Sequence, residues 1–263
     1  RLAAAPAPQA APNRRTPPAN RSAAADAQFN ALAEAEYTWR KKLWSSGKEA
    51  RESDTLPDVG PATQAAALDR WTSTLAALDA IDPATSSSAT RINYRLYRQQ
   101  IETLLAAQRF RDYEMPVNAD TSFWTELAGT ARDPMRTEAD YRHYIARLTD
   151  VPRYVDQQIA NMRAGAKRGF TAPRVTLTGR DVGIAQVVDA GAGEKSPFYE
   201  PFATMPATIP AATQRDLRAA ATRAAICADF SAGGGKLKSA GLTAGTSTCR
   251  SMRSNMGPEI FDW

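Results

Sequence analysis

The sequence predicts a mainly α-helical protein, a bundle-like array of helices with at most a short strand or hairpin near residues 174–178. Apolar residues recur at three- and four-residue steps in at least five segments, which places them on one face of a helix. Proline and glycine stand near the ends of these segments, where helices begin and stop. Two Thr-x-x-Asp sequences, at 137–140 and 213–216, resemble the capping box that opens a helix. We therefore expect helices that pack on their apolar faces.

Residues 1–24 are predicted to form a disordered linker. Ala and Pro dominate this stretch, and side chains that could pack are nearly absent, so ordering it would not recover the conformational entropy lost. Linkers of this kind follow export signals. We expect a periplasmic or otherwise exported protein whose signal peptide lies outside this sequence.

Three helices are predicted next, at about 26–45, 62–82 and 89–111. Each carries an apolar stripe: Phe29, Leu32, Ala35, Trp39 and Leu43 in the first, Leu68, Trp71, Leu75, Leu78 and Ile81 in the second, and Tyr94, Tyr97, Ile101 and Leu104 in the third. Paired acidic residues such as Glu34 and Glu36 fall on predicted exposed faces. We interpret them as solvated charges and not as an acid–base couple.

The central part is predicted to hold three further helices. Asp120 caps a short one, the Thr137–Asp140 box opens the second, and Pro152 begins the third. The second and third helices direct tyrosines and aliphatic residues inward: Tyr141, Tyr144, Ile145 and Leu148, then Val155, Ile159 and Met162. Gly165 marks the end of the third helix.

After these helices the pattern weakens. Residues 174–178 alternate and form the candidate strand, and residues 181–190 are a weak helix candidate. An Ala-rich helix begins at the second capping-box-like sequence and continues to about Ala225. Residues 226–263 show no sustained period and are rich in Gly, Ser and Thr, so we expect a divergent, poorly ordered tail. The helical domain is thus expected to span 25–225.

Two cysteines, Cys227 and Cys249, lie in the predicted tail. In an exported protein they could form a disulfide. The interpretation we favour is that the two cysteines do not define any structural framework. Only one histidine accompanies them in the whole chain, so their spacing does not indicate a metal site.

The net charge of +5 belongs mainly to the two ends of the chain. Residues 26–225 carry 25 basic and 25 acidic side chains. A nucleic-acid-binding domain concentrates Lys and Arg on its folded part, so we expect no nucleic-acid partner. No apolar run reaches the roughly 18 residues of a membrane span.

No residue pattern predicts a catalytic, cofactor-binding or metal site. His143 is the only histidine, and Asp140 is the one carboxylate at helical spacing from it, so a solvated surface histidine is favoured. Residues 231–236 resemble a phosphate loop but lack its first Gly and its Ser or Thr. Neither a Gly-x-Ser-x-Gly elbow nor an H-E-x-x-H zinc motif occurs.

The region 141–174 is instead a candidate binding surface. Arginine alternates there with tyrosine and phenylalanine more densely than elsewhere in the chain. The candidate surface or binding contacts are Tyr141, Arg142, His143, Arg153, Arg163 and Arg174. A peptide or a protein partner is the ligand expected for them.

Seven segments of the chain carry a resemblance, most strongly at 140–165 and 169–176. The other five are Leu56-Pro-Asp-Val59, Leu78-Asp-Ala-Ile-Asp-Pro83, Ile92-Asn-Tyr-Arg-Leu-Tyr-Arg98, Glu114-Met-Pro-Val-Asn118 and Ser196-Pro-Phe-Tyr-Glu-Pro-Phe202. Over about residues 25–225 the chain resembles a bacterial family catalogued as domain of unknown function 885.

The resemblance implies a helical, exported or lipid-anchored protein similar to zinc metallopeptidases. Their zinc signature, of the type H-E-x-x-x-H, lies in the C-terminal half. No position of this chain matches that motif, so zinc is expected only in a C-terminal half outside this sequence. A frameshifted or prematurely ended reading frame would explain why residues from Ile226 onward depart from the family pattern.

Three functional interpretations follow. The favoured one is an N-terminal helical scaffold of a peptidase-like protein, inactive alone, that binds its C-terminal half or self-associates through uncovered apolar surface. The second is a stand-alone helical module that binds peptides or a protein partner. The third, an enzyme using His143 or an acidic pair, is disfavoured because no nucleophile, base and orienting group occur together.

Overall fold

The computed structural model describes residues 18–44, 47–118, 122–179 and 193–233. These residues form nine α-helices and contain no strand beyond an isolated bridge between Val117 and Ser122, so the mainly α-helical prediction is confirmed. The helices are α1 (Pro18–Leu43), α2 (Gly47–Arg51), α3 (Pro61–Asp79), α4 (Ser88–Phe110), α5 (Phe123–Gly129), α6 (Glu138–Lys167), α7 (Arg174–Leu177), α8 (Glu200–Ala203) and α9 (Ala211–Gly233).

Helices α1, α3 and α4 pack around one apolar core. Its buried members come from all three helices and the turn after α3: Phe29, Ala67, Trp71, Leu78, Ile81, Tyr94, Ile101 and Leu105. The predicted stripes supply most of them. On α1, however, Ala35 is exposed and Glu36 is completely buried, so the prediction that Glu36 is a solvated charge is wrong.

Side-chain caps fix where α4 begins. Ser87 Oγ accepts a hydrogen bond from the Thr90 N–H at 3.3 Å, which satisfies one of the free N–H groups of the first turn. The Ser87 N–H in turn donates to the Asp26 carboxylate of α1 at 3.0 Å. The start of α4 is therefore tied to α1 as well as to its own cap.

Helices α6 and α9 form the centre of a second core. The short helices α5 and α8 and the 3-10 turn Pro197–Tyr199 close around them. Large side chains fill this core, among them Trp124, Tyr144, Phe198, Phe202 and Leu217. The Tyr144 hydroxyl donates to the Phe198 carbonyl at 3.1 Å, so burial of this polar group leaves it satisfied.

The N-terminus of α6 has the predicted capping box. Thr137 Oγ1 accepts from the Asp140 N–H at 3.3 Å, and Asp140 Oδ2 accepts from the Thr137 N–H at 2.8 Å. The box confirms that Asp can replace the usual Glu at the third position.

Pro152 does not begin a helix, contrary to the prediction. It lies inside the single 30-residue helix α6, where it lacks the N–H that would bond to Leu148. Val151 is completely buried and Val155 is nearly so, and Asp150 and Arg153 bond to a distant loop. These tertiary contacts hold both sides of the proline, so the helix continues through it.

The candidate strand at 174–178 is also absent. Residues Arg174–Leu177 form a helical turn after Pro173, whose carbonyl accepts from the Thr176 N–H at 2.9 Å. A strand needs a neighbour to satisfy its backbone. No partner strand lies beside this segment within the described ranges, and the chain bonds to itself instead.

Several boundaries differ from those predicted. Helix α1 begins at Pro18, so residues 18–24 of the predicted linker are helical, and α9 begins at Ala211 and extends to Gly233. The remainder of the linker, the Asp120 cap, the helix candidate at 181–190 and the tail from 234 lie outside the described residues. Cys249, and with it the possible pairing of Cys227 with Cys249, also lies outside the described residues. None of the helices in the described part is long and apolar enough to cross a membrane.

Candidate functional site

One face of α6 carries a line of polar side chains that contact a single distant segment. Its members follow three- and four-residue steps, and we call them the polar stripe: His143, Arg147, Asp150, Arg153, Gln157 and Asn161. The segment is residues 50–60, the last two residues of α2 and the chain that connects α2 to α3. From Arg147 to Asn161 the contacts run in order along the helix, so residues 52–60, which have no regular structure, acquire fixed positions.

Arg147 binds the end of α2. Its guanidinium donates to the carbonyls of Ala50 at 3.2 Å, of Ser53 at 3.0 Å and of Arg51. The Ala50 and Arg51 carbonyls lie at the C-terminus of α2, where a cation is favourable. Burial lowers the pKa of Arg147, which is only 6% exposed. The partners of Arg147 lie more than 90 residues away in sequence.

Asp150 and Arg153 hold Leu56 from two sides. Asp150 Oδ2 accepts from the Leu56 N–H at 2.8 Å, and Arg153 Nη2 donates to the Leu56 carbonyl at 2.8 Å. The two side chains also form an ion pair, and the bond to Asp150 raises the pKa of Arg153. Both backbone groups of Leu56 are therefore satisfied while its side chain enters the second core.

Gln157 and Asn161 bind Val59, three residues after Leu56, in the same way. Gln157 Oε1 accepts from the Val59 N–H at 3.0 Å, and Asn161 Nδ2 donates to the Val59 carbonyl at 2.9 Å. A Cβ on Gly60 would lie 2.8 Å from Gln157 Nε2, so the small residue allows the close approach. These are structural contacts between the Leu56–Val59 motif and α6.

His143 pairs with Asp54, and the predicted partner Asp140 serves elsewhere. His143 Nδ1 lies 2.7 Å from Asp54 Oδ1, with the histidine side chain 30% and the aspartate side chain 70% exposed. Asp140 accepts from the N–H groups of Arg136 and Thr137 and from the Thr137 hydroxyl. These bonds, led by that from Arg136, lower the pKa of Asp140.

The other candidate contacts fall into different environments. Tyr141 is 2% exposed and packs on Phe202, so it belongs to the core and not to a binding surface. Arg142 is exposed and forms an ion pair with Glu138 at 2.6 Å. Arg174 is exposed at the start of α7. Arg163 is exposed as well and has an interaction partner.

Of the six candidate binding contacts, the structure places only His143 and Arg153 on the polar stripe. Sequence reasoning missed Arg147, Asp150, Gln157 and Asn161 and singled out none of them. A signal was present: these residues continue the spacing of His143 and Arg153 along the helix. What the spacing could not show was the segment that they bind.

A second buried polar cluster surrounds Glu36 in the first core. Its carboxylate accepts from Trp71 Nε1 and from the Tyr97 hydroxyl, both at 2.9 Å. Arg40 Nε lies 3.1 Å from Oε1, close enough for an ion pair though not aligned as a hydrogen bond. Burial, followed by the Glu36 charge, raises the pKa of Tyr97. Arg40 thus balances the charge of this completely buried carboxylate, and both of its oxygens accept hydrogen bonds.

A third cluster joins the end of α6 to the turn after α4. Glu114 is buried and forms ion pairs with Arg168 and, at 3.4 Å, with Arg111. A Cβ on Gly165 would lie 2.7 Å from the Glu114 carbonyl and 2.9 Å from that of Phe170. Only glycine permits this approach of α6 to the Glu114 turn.

Two clefts are lined in part by residues of the 50–60 segment. One, of about 330 Å³, is lined by Leu43 of α1, by residues of the 53–58 segment and by Arg153. The other, of about 300 Å³, lies between α2 and the start of α6 and is mainly charged: Lys48, Arg51, Glu52, Pro134, Arg136 and Asp140. Either is large enough to admit a small ligand or part of a peptide.

The described side chains do not fit a zinc site. Zinc in proteins takes three or four His, Cys or carboxylate ligands, and the His143–Asp54 pair supplies two. No group of three such side chains is placed to hold a metal within the described ranges. That zinc belongs to a C-terminal half remains a prediction.

The comparisons with known proteins identify one relationship. The sequence model of a family described as bacterial protein of unknown function (DUF885) matches residues 43–233. That stretch includes the polar stripe, the segment it binds, the second core and the α3 and α4 residues of the first core. No curated protein and no solved structure matches the chain.

Proposed function

Because the chain belongs to the bacterial family of unknown function DUF885, we propose that it acts as the N-terminal helical scaffold of an exported, peptidase-like protein. In this role it holds a rigid surface on which a separate zinc-bearing C-terminal half assembles. Alone it is inactive on peptides. The resemblance supplies the peptidase-like character and the place of the zinc.

The scaffold proposal rests on the hydrogen bonds between the polar stripe and the 50–60 segment. All six of its side chains bind the backbone or a side chain of the 50–60 segment, through hydrogen bonds that include seven of 2.7–3.2 Å: His143, Arg147, Asp150, Arg153, Gln157 and Asn161. A general base or nucleophile needs a lone pair or proton free for substrate. Here the polar groups of the stripe already take part in hydrogen bonds that hold the 50–60 segment in place.

The family segments support the same function. Leu56–Val59 is the segment bound by the stripe, Glu114 meets Gly165 and Arg168, and Phe198 and Phe202 pack on Tyr144 and Trp124. The segments that carry the resemblance therefore contact one another. Contacts of this kind support a role in holding an architecture together.

A surface groove favours the second candidate, a binding module for a peptide or a protein partner. A shallow groove of about 460 Å³ between α1 and α4 is lined by Phe29, Asn93, Leu96, Tyr97 and Gln100. Leu96 is 67% exposed, and Ile92, one turn earlier, is 62% exposed. Adjacent exposed apolar side chains of this kind can bind a partner or a second copy of the chain.

Two measurements test the proposal. Peptide hydrolysis with added zinc is measured for the chain alone and after mixing with the separately produced C-terminal half of a longer family member. Sedimentation across a concentration series then reports complexes and self-association. We expect no turnover by the chain alone, and a complex when the half is added. Zinc-dependent turnover by the chain alone, or two proteins that sediment independently, would contradict the scaffold.

A further inference from the structure

We propose that the charged cleft between α2 and the start of α6 binds a single carboxylate group, such as the C-terminal carboxylate of a peptide, through Arg51 and Arg136. The cleft has a volume of about 300 Å³. This is near the lower end for ligand sites, with room for a carboxylate and the residue that carries it. The site does not depend on the scaffold function.

The acidic residues of the cleft already have partners. Asp140 accepts three hydrogen bonds from Arg136 and Thr137 in the capping box. Glu52 lies 3.5 Å from Lys48, one helical turn before it. Neither carboxylate forms an ion pair with Arg51 or Arg136.

The guanidinium groups of Arg51 and Arg136 are free. Neither makes a side-chain hydrogen bond or an ion pair with any residue in the described part of the chain. A guanidinium fork binds a carboxylate through two parallel N–H···O bonds, which a lysine cannot reproduce. Two free forks lining one cleft are thus suited to an anion with two oxygens.

Both arginines have anchored backbones. The Arg51 carbonyl accepts from the buried Arg147, and the Arg136 N–H donates to Asp140 at 2.9 Å. Because the backbone of each arginine is already fixed, only side-chain freedom is lost when the two guanidinium groups close on a ligand. The charge of Arg51 also opposes that of Arg147, and an anion in the cleft would relieve this repulsion.

The charge of the lining selects a monoanion. Lys48, Arg51 and Arg136 face Glu52 and Asp140, which leaves one net positive charge. One carboxylate balances this charge. A dianionic phosphate would exceed it and would face the two lining carboxylates. Pro134 adds an apolar wall for the group beside the carboxylate.

The test compares three probes by nuclear magnetic resonance titration at low ionic strength: N-acetyl-dialanine with a free carboxylate, its C-terminal amide, and inorganic phosphate. We expect saturable shifts with the free acid, at least about tenfold weaker binding of the amide and of phosphate, and loss of affinity as salt screens the charges. Equal binding of acid and amide, tighter binding of phosphate, or no saturation with the acid would overturn the proposal.

Variants locate the site. Arg51→Gln and Arg136→Gln should each weaken binding of the free acid at least about tenfold, and Arg51→Lys should restore only part of the loss. Arg95→Gln is the matched control, because Arg95 is an exposed, unpaired arginine on α4, outside the cleft. Circular dichroism melting confirms that each variant is folded. Undiminished binding by the double variant Arg51→Gln/Arg136→Gln, or an equal loss in Arg95→Gln, would place the anion elsewhere.

Discussion

The carboxylate of Asp150 accepts the backbone N–H of Leu56 at 2.8 Å, across 94 residues of sequence. The same carboxylate forms an ion pair with Arg153, whose guanidinium donates to the Leu56 carbonyl. The Leu56 N–H, the Arg153 guanidinium and, through it, the Leu56 carbonyl thus depend on the Asp150 side chain. The segment between α2 and α3 is held by this unit and by its neighbours on the polar stripe.

Asp150→Ala should therefore destabilise the fold. The substitution leaves the Leu56 N–H without its acceptor and Arg153 without its ion pair, so the free energy of unfolding should fall by about 2–3 kcal/mol. Urea unfolding monitored by circular dichroism measures the change. Arg142→Ala, which breaks an exposed ion pair on the same helix, should lower it by less than about 1 kcal/mol. Equal losses in both variants would show that the Leu56 contact is unimportant.

Glu36→Ala should be among the most damaging substitutions in α1. It leaves the Trp71 N–H and the Tyr97 hydroxyl without their acceptor and Arg40 without its counter-charge. We expect a loss of about 3–5 kcal/mol, measured by urea unfolding. Glu34→Ala changes an exposed carboxylate two residues away and should stay within about 0.5 kcal/mol of wild type. A mild effect at Glu36 would mean that the carboxylate is solvated.

Gly165→Ala should disrupt the contact between α6 and the Glu114 turn. The added methyl group would meet two backbone carbonyls, which cannot move aside as a flexible side chain can. We expect destabilisation of about 1–3 kcal/mol, seen as a lower melting temperature. Gly129→Ala is the matched control because nothing lies within 4 Å of its Cβ position and its φ is −62°. It should be neutral or stabilise by about 0.4–1 kcal/mol. The reverse order would contradict the packing described.

The capping box should make stability depend on pH through Asp140. Its pKa is lowered in the folded protein by the N–H groups of Arg136 and Thr137. Its contribution is therefore present above the unfolded pKa of about 3.9 and is lost as pH falls through the lower folded value. Asp140→Asn should reduce the free energy of unfolding by about 1 kcal/mol at pH 7.

The same variant provides the check on this mechanism. Urea unfolding of wild type and Asp140→Asn is compared at pH 7 and at successively lower pH. The difference between the two proteins should shrink as Asp140 becomes protonated. A difference that stays constant down to the acid-unfolding limit would assign the effect to side-chain shape and not to charge.

The polar clusters show where prediction from sequence stops. Glu36 lies two residues from the exposed Glu34, and the helical pattern gave no reason to separate them. Trp71 and Tyr97, which come from other helices, make its burial tolerable. His143 likewise had Asp140 within helical reach, yet Asp54 is its partner, because Asp140 is already bound at the helix N-terminus.

The sequence by itself determined the helical class, the apolar faces of α3, α4 and α6, and the Thr137–Asp140 box. These features depend on residues three or four positions apart, which a helix places next to each other on one face. Only the tertiary structure decided that α6 continues through Pro152, that Glu36 is buried and that Arg147 binds the end of α2. Each of these depends on groups from distant parts of the chain, which local spacing does not specify and which come together only when the helices pack.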